Sequence, residues 1–124
     1  MDQARTPIRS YRDLLVWQKG MDLVVASYQV SRMLPKEERF GLSQQIERSA
    51  VSVPSNIAEG HGRRHRGDFV HHLSIANGSL KELETQLQIA VRLGYVQEGN
   101  IQVAMSLAAD VGKMLVALHR KLKP

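Results

Sequence analysis

The sequence predicts an all-α protein, an antiparallel up-down-up-down bundle of four helices over residues 11–34, 42–61, 67–94 and 100–122. Apolar residues recur at three- and four-residue spacing through four long segments, which is the period of an amphipathic helix. No stretch between turn residues alternates strictly between apolar and polar side chains, as a half-buried strand would. Short connectors between the segments make consecutive helices antiparallel.

The first helix is predicted to begin at a capping box. Ser10 and Asp13 have the S-x-x-D spacing, in which each side chain accepts the other residue's exposed backbone N–H. Pro35 ends the helix, because a residue that precedes proline is disfavoured in the helical conformation. The expected core stripe of this helix is Leu14, Trp17, Met21, Val24 and Tyr28.

The second and third helices carry regular apolar stripes. Pro54 lies inside the second helix and predicts a kink, since proline removes a backbone hydrogen bond and crowds the preceding turn. Gly94 is the predicted C-terminal stop of the third helix. The two stripes are Leu42, Ile46, Ala50, Val53, Ile57 and Gly60, and then Phe69, Leu73, Ala76, Leu80, Leu83, Leu87 and Ala90.

The fourth helix has more apolar surface than one bundle core needs. Asn100 is its predicted N-cap, and Ile101, Met105, Ala108 and Leu115 form one stripe. The additional apolar residues are Val103, Leu107, Val111, Met114 and Val116. A core covers only one face of a helix, so the excess predicts contact with another copy of the chain. The alternative is that these side chains are ordinary exposed apolar residues.

Length and composition predict one domain over residues 1–124, with flexible ends at 1–9 and 123–124. The chain has no cysteine, and no apolar segment follows the charges at its start, which predicts neither disulfides nor a signal peptide. No continuous apolar run approaches eighteen residues, so no membrane-spanning helix is expected. The default location is therefore the cytoplasm.

Positive charge is concentrated at one end of the predicted bundle. Residues 1–12, 61–68 and 113–123 together carry +8, and because the net charge is +5 the rest carries −3. The predicted topology brings these three segments to one end, which we call the basic pole: Arg9, Arg12, Arg63, Arg64, Arg66, Arg120, Lys121 and Lys123. Arg5 is a further cation there. Such a cluster suits electrostatic binding of phosphates without base-specific readout. The alternative is that solvated loops and termini are simply basic.

The segment between the second and third predicted helices resembles a phosphate-binding loop and a metal site, but each motif lacks residues that it requires. GRRHRGDF has P-loop glycine spacing, but Gly67 is not followed by Lys and Ser or Thr, and the segment follows a helix. His61 with His65, and Asp68 with His71, have spacings found in metal sites. A bundle di-metal centre needs a second Glu-x-x-His motif, which is missing. The sequence thus predicts no metal, no cofactor and no catalytic residue.

Polar residues interrupt the facing stripes of the second and third helices. Asn56, Glu59, Ser79 and Glu82 are predicted to satisfy one another, or a nearby Arg48 or Arg63, as a structural network that fixes packing. Gly78 and Ser79 are expected to let the two backbones approach closely. A catalytic pair formed by Glu59 and Glu82 is the alternative, but it lacks a partner acid or base.

Residues 10–96 resemble a known family. The matching runs are YRDLLVWQKGMDLV, LPKEERFGLSQQIERSAVSVPSNIAEGHGRR and DFVHHLSIANGSLKELETQLQIAVRLGYV, and they resemble the four-helix-bundle proteins encoded in intervening sequences of bacterial 23S rRNA genes. The motif N-I-A-E-G, then Arg, then G-S-L-x-E-L maps onto positions that define the fold: Asn56, Ile57, Ala58, Glu59, Gly60, Arg63 or Arg64, Gly78, Ser79, Leu80, Glu82 and Leu83.

The resemblance implies a cytoplasmic, non-catalytic bundle that assembles into a ring, a pentamer. The related accessory proteins of diversity-generating retroelements bind nucleic acid and a reverse transcriptase through a basic surface. The leading expectation is therefore a homo-oligomeric accessory protein that binds RNA or DNA through the basic pole. A ring-forming scaffold for a protein partner is the alternative, and a metal- or carboxylate-dependent enzyme is a third possibility.

Overall fold

The computed structural model describes residues 7–123 and contains four helices: α1 Leu15–Ser31, α2 Leu42–His61, α3 Arg66–Arg92 and α4 Glu98–Leu122. Short 3-10 helices, Tyr11–Asp13 and Lys36–Glu38, precede α1 and α2. The predicted all-α class is confirmed. Residues 1–6 and 124, which include Arg5 and most of the ends predicted to be flexible, lie outside the described residues.

Neighbouring helices run in opposite directions. The Ser31 hydroxyl at the end of α1 donates to Glu47 near the start of α2, whereas Gly20 near the start of α1 lies against Pro54 further along α2. The same reversal joins α2 to α3, α3 to α4 and α4 to α1. The beginnings of α1 and α3 therefore lie at the same end of the bundle as the ends of α2 and α4.

The predicted capping box at Ser10 and Asp13 forms, but it caps the first 3-10 helix. Leu14 then has an extended backbone, with φ of −77° and ψ of 125°, and this residue separates the 3-10 helix from α1. The predicted helix over 11–34 is thus too long at both ends, and the α-helical part is Leu15–Ser31.

Gly94 ends α3 as predicted, by a Schellman motif. Its φ is +78°, a conformation that favours glycine. The Gly94 N–H donates to the carbonyl of Val91 at 2.9 Å, and the Tyr95 N–H donates to the carbonyl of Ala90 at 3.0 Å. These two bonds satisfy carbonyls that the end of a helix leaves without partners.

The start of α4 differs from the prediction. Gln97 is the N-cap, and Asn100 occupies the third helical position, where its Oδ1 accepts the Gln97 N–H at 2.8 Å. The prediction that Asn100 is the N-cap was wrong, because the N-cap lies three residues earlier, at Gln97, whose N–H is capped by the Asn100 side chain.

The core confirms the predicted stripes of α2 and α3, which are buried apart from the half-buried Phe69. The stripe predicted for α1 was only partly right: Leu14, Trp17 and Val24 are half-buried against the core, whereas Met21 is 43% exposed. The buried face of α1 consists of Val16, Gly20, Leu23, Ala26, Ser27, Val30 and Ser31. Gly20 lies directly against Pro54 of α2, so small residues face this neighbour. α2 continues through Pro54, and its kink stays a prediction.

The helix α4 is apolar on more than its core face. Ile101, Ala104, Ala108, Val111 and Leu115 are buried, while Val103 is 65% and Val116 is 49% exposed. By length and composition α4 could cross a membrane, since an eighteen-residue window has a mean hydropathy of 1.5, contrary to the expectation from the sequence. Core helices of soluble proteins can be as apolar, but they are mostly buried. In α4, 28% of this window is buried, and the buried stripe belongs to the core of the bundle.

Candidate nucleic-acid interface

The eight cations of the basic pole are exposed and lie on segments that the topology brings to one end. Arg9 and Arg12 flank the start of the bundle, and Arg63 and Arg64 lie in the corner after α2. Arg66 opens α3, while Arg120, Lys121 and Lys123 lie in or just after the last turn of α4.

The 3-10 helix Tyr11–Asp13 connects the parts of the basic pole. It contacts α2, and Asp13 lines a groove together with Met114, Leu118 and Lys121 of α4. Arg12 lies in this short helix, with its guanidinium 4.9 Å from the centre of the Tyr11 ring. The chain start therefore lies between the basic ends of α2 and α4.

Two acidic groups near the basic pole, Asp13 and Glu59, have partners in the backbone or in arginine, whereas Asp68 is exposed in the first turn of α3. Asp13 accepts the N–H groups of Arg9 at 2.8 Å and of Ser10 at 3.3 Å, and the hydrogen bond from Arg9 is the main reason why the pKa of Asp13 is lowered. Arg63 donates to Glu59 at 2.7 Å. Both of these side chains are about half exposed, so this pair adds little stability and leaves the guanidinium accessible.

A polar cluster crosses the interface of α2 and α3. The hydroxyls of Ser52 and Ser79 lie 2.8 Å apart, and the amide nitrogen of Asn56 donates to the Ser52 carbonyl at 2.9 Å and to its hydroxyl at 3.0 Å. The Asn56 oxygen faces Nδ1 of His72 at 3.0 Å. Because the amide nitrogen is engaged by a carbonyl, the Asn56 oxygen is the acceptor and His72 Nδ1 carries the proton.

The structure brings together only part of the predicted network. Asn56 and Ser79 are joined through Ser52, and Glu59 lies at the margin, 3.9 Å from Nε2 of His72. Glu82 is exposed and takes part in no hydrogen bond among residues 7–123, so its predicted inner position was wrong. Successive helical residues differ by about 100° in direction, and Leu83 takes the core position instead.

The close approach of α2 and α3 is made by Gly60 and not by Gly78. A Cβ atom on Gly60 would lie 2.6 Å from Cβ of His72 and 3.0 Å from Cδ1 of Phe69, whereas nothing lies within 4 Å of the same position on Gly78. The expected role of Gly78 was therefore wrong. Ser52 and His72 were not predicted as members of this cluster. The position of Ser52 was a usable signal, because it precedes Asn56 by four residues, the spacing of neighbours on one helix face.

The histidines at the corner are not clustered with other metal-ligating side chains in the described part of the chain. No group of three or more such side chains occurs among residues 7–123. The His61 ring packs edge-on against Phe69, with 5.6 Å between ring centres. Corner residues Gly62 to His65 separate His61 from α3, so His61 and His65 do not share one helix face.

Comparison with known proteins agrees with this architecture. The family model described as 23S rRNA-intervening sequence protein matches residues 12–117. A crystal structure of a protein with unknown function from the S23 ribosomal protein family of Bacteroides thetaiotaomicron is 26% identical, with a TM-score of 0.78. The alignment covers 85% of this chain and 98% of that chain. No curated protein matches. The chain belongs to the 23S rRNA-intervening sequence protein family.

Proposed function

We propose that this chain is a non-enzymatic, cytoplasmic, homo-oligomeric accessory protein that binds RNA or DNA through the basic pole. The observation that carries the proposal is the placement of eight exposed cations around one end of the bundle. Among the acids near them, Asp13 is engaged by backbone N–H groups and Glu59 by Arg63, and Asp68 is exposed beside Arg66.

The chemistry of the basic pole favours contact with phosphates over recognition of bases. Six of its eight cations are arginines, whose planar guanidinium groups match phosphate oxygens in a two-pronged geometry. Neutralising several phosphates releases counterions, so affinity falls steeply with salt. These cations lie in a corner, in the chain start and at helix ends, and not along one face of a helix, which is the arrangement that reads a major groove. Sequence-independent binding follows from these features.

Assembly would multiply this surface. The exposed Val103 of α4 supports a contact between copies, and family resemblance favours a pentameric ring. A ring of identical chains presents several basic poles, and simultaneous contacts with one nucleic acid raise affinity without any new interaction.

Fluorescence anisotropy with structured RNA and duplex DNA across a salt series tests the proposal. The triple variant Arg63→Ala, Arg64→Ala, Arg66→Ala should bind at least about tenfold more weakly. Its dependence of log affinity on log salt should also flatten by about 2 to 3 per bound chain, because each lost phosphate contact removes nearly one unit.

A matched triple variant controls for net charge. Arg48→Ala, Lys81→Ala and Arg92→Ala remove the same charge from exposed positions outside the basic pole and should leave most of the affinity. Equal losses in both triple variants would show that net charge, and not this end of the bundle, governs binding. A weak, salt-insensitive signal from the unaltered protein would refute nucleic-acid binding altogether.

A scaffold for a protein partner such as a reverse transcriptase is the second candidate. A groove of about 970 Å³ between the start of α1 and the end of α4 favours it. Ile8, Leu14, Leu15, Met114, Ala117 and Leu118 supply most of its walls, and Leu15 is 58% exposed. The substitution Leu15→Glu should abolish capture of such a partner and leave the salt slope for RNA unchanged.

A further inference from the structure

Phe40 carries the most exposed large apolar side chain of the described residues, at 80%. It lies in the connector between α1 and α2, at the end of the bundle opposite the basic pole. The other five aromatic side chains of the sequence are all at least partly buried. Phe40 is therefore the one aromatic side chain within residues 7–123 that is largely exposed to solvent.

The connector holds Phe40 in place. Oε1 of Glu38 accepts the Leu42 N–H at 2.9 Å, and the Gly41 N–H donates to the Glu38 carbonyl at 2.9 Å. A Cβ atom on Gly41 would lie only 2.7 Å from Oε1 of Glu38. Since the backbone on both sides of Phe40 is fixed by these contacts, its ring is presented to solvent by an ordered turn.

A cationic groove adjoins the Phe40 ring. Its volume is about 380 Å³, within the range of roughly 300 to 1,000 Å³ that ligand pockets occupy. The residues that give it character are Arg32, Leu34, Lys36, Arg39, Phe40 and Glu47. The one acid, Glu47, accepts the hydroxyl of Ser31 at 2.8 Å, so three cations face the groove against one carboxylate that is already hydrogen-bonded.

We propose that Phe40 and this groove bind one unpaired base of single-stranded nucleic acid together with its phosphate. The proposal rests on the proposed function only in its ligand class, since it concerns a separate site. The Arg39 guanidinium lies 5.5 Å from the centre of the Phe40 ring. A base stacked on the accessible part of the ring would be held by the combination that single-strand binding proteins use, an aromatic face with nearby arginine.

The composition of the groove distinguishes this ligand from a duplex. A duplex hides the faces of its bases, so it offers phosphates to Arg32 and Lys36 but nothing to the Phe40 ring. One exposed aromatic residue also matches one base, unlike the multi-base platforms of dedicated single-strand binding modules. The site therefore adds a preference for unpaired segments to the salt-dependent attraction of the basic pole.

Fluorescence of a 2-aminopurine base in a single-stranded RNA of about ten nucleotides measures stacking directly. Binding to the unaltered protein should change the 2-aminopurine emission. Phe40→Ala and Phe40→Leu should both abolish this change and weaken single-strand affinity about fivefold, because leucine restores apolar surface without an aromatic face. Leu93→Ala, which removes another exposed apolar side chain, should alter neither quantity.

The Arg63→Ala, Arg64→Ala, Arg66→Ala protein separates this site from the basic pole. It should bind the single strand more weakly yet keep the emission change at saturation. If Phe40→Ala shows the same emission change on binding and the same affinity as the unaltered protein, the proposal is overturned and the basic pole is unaffected. The proposal also fails if Phe40→Ala reduces the oligomer mass and Phe40→Leu restores it, or if polyglutamate, and not RNA, binds in a Phe40-dependent manner.

Discussion

The hydroxyl of Tyr95 donates a 2.8 Å hydrogen bond to Oε2 of Glu38, which joins the connector after α3 to the connector before α2. The second carboxylate oxygen accepts the Leu42 N–H at the first residue of α2. The Leu42 bond, and then the Tyr95 bond, lower the pKa of Glu38. The hydrogen bond that Tyr95 donates to Glu38 also raises the pKa of Tyr95, because it stabilises the protonated phenol.

This pair predicts a stability plateau with two edges. The pKa of folded Glu38 lies below its ordinary value of 4.5, so its contribution is present above pH 4.5 and is lost as pH falls through the folded value. The pKa of folded Tyr95 lies above 10.0, so its contribution is present below pH 10 and is lost as pH rises through the folded value. Urea unfolding across pH measures both edges.

Two substitutions assign these edges. Glu38→Gln should weaken the acid-side dependence and lower stability at pH 7, and Tyr95→Phe should remove the alkaline edge. Glu37→Gln, at an exposed neighbouring position, should leave the acid-side dependence as it is. An unaltered acid-side dependence in Glu38→Gln would show that other carboxylates cause it.

Gly60 and Gly78 predict opposite responses to alanine. A Cβ on Gly60 would lie 2.6 Å from His72, so Gly60→Ala forces α2 and α3 apart and should destabilise by about 1 to 3 kcal/mol. Gly78 has open space around it, and Gly78→Ala should stabilise by about 0.5 to 1 kcal/mol through helix propensity. Chemical denaturation of both variants tests this, and equal effects would contradict the packing at Gly60.

The sequence allowed accurate prediction of the core where one helix face is clearly apolar, as in α2 and α3. It succeeded only in part in α1, where apolar residues lie on both sides: Trp17 packs at the edge of the core, whereas Met21 is exposed. The buried face of α1 includes Gly20, which lies against Pro54 of α2. That contact joins residues far apart in sequence, so periodicity within one helix cannot reveal it.

The candidate site was predictable to a similar degree. Charges at chain ends and corners are brought to one end by topology alone, so the basic pole follows from the helix order. The polar cluster depends on rotation within α2 and α3, where a difference of one position moves a side chain by about 100°. For this reason the cluster contains Ser52 and His72, which were not predicted, and does not contain Glu82, which was.

The hydrogen bonds of Asn56 make it a sensitive position. Asn56→Ala would leave Nδ1 of His72 and the Ser52 hydroxyl with fewer partners in a partly buried interface, and it should cost about 1 to 3 kcal/mol. Glu82→Ala, at an exposed position without a hydrogen bond among the described residues, should change stability by less than about 0.5 kcal/mol. Thermal unfolding of the two variants compares them. If Glu82→Ala loses more stability than Asn56→Ala, Glu82 belongs to the network as the sequence predicted.

Val103 provides a test of self-association. It is 65% exposed and lies seven residues before Asp110, on the same face of α4, where Asp110 forms a 3.7 Å ion pair with Lys19 of α1. If another copy covers this face, Val103→Lys places a charge in an apolar contact and should raise the dissociation constant at least about tenfold. Light scattering at micromolar concentration would show a smaller mass. Val116→Lys places the same charge on the α3 side of α4 and should leave the mass unchanged. A monomeric unaltered protein would instead mean that Val103 is an ordinary exposed apolar residue.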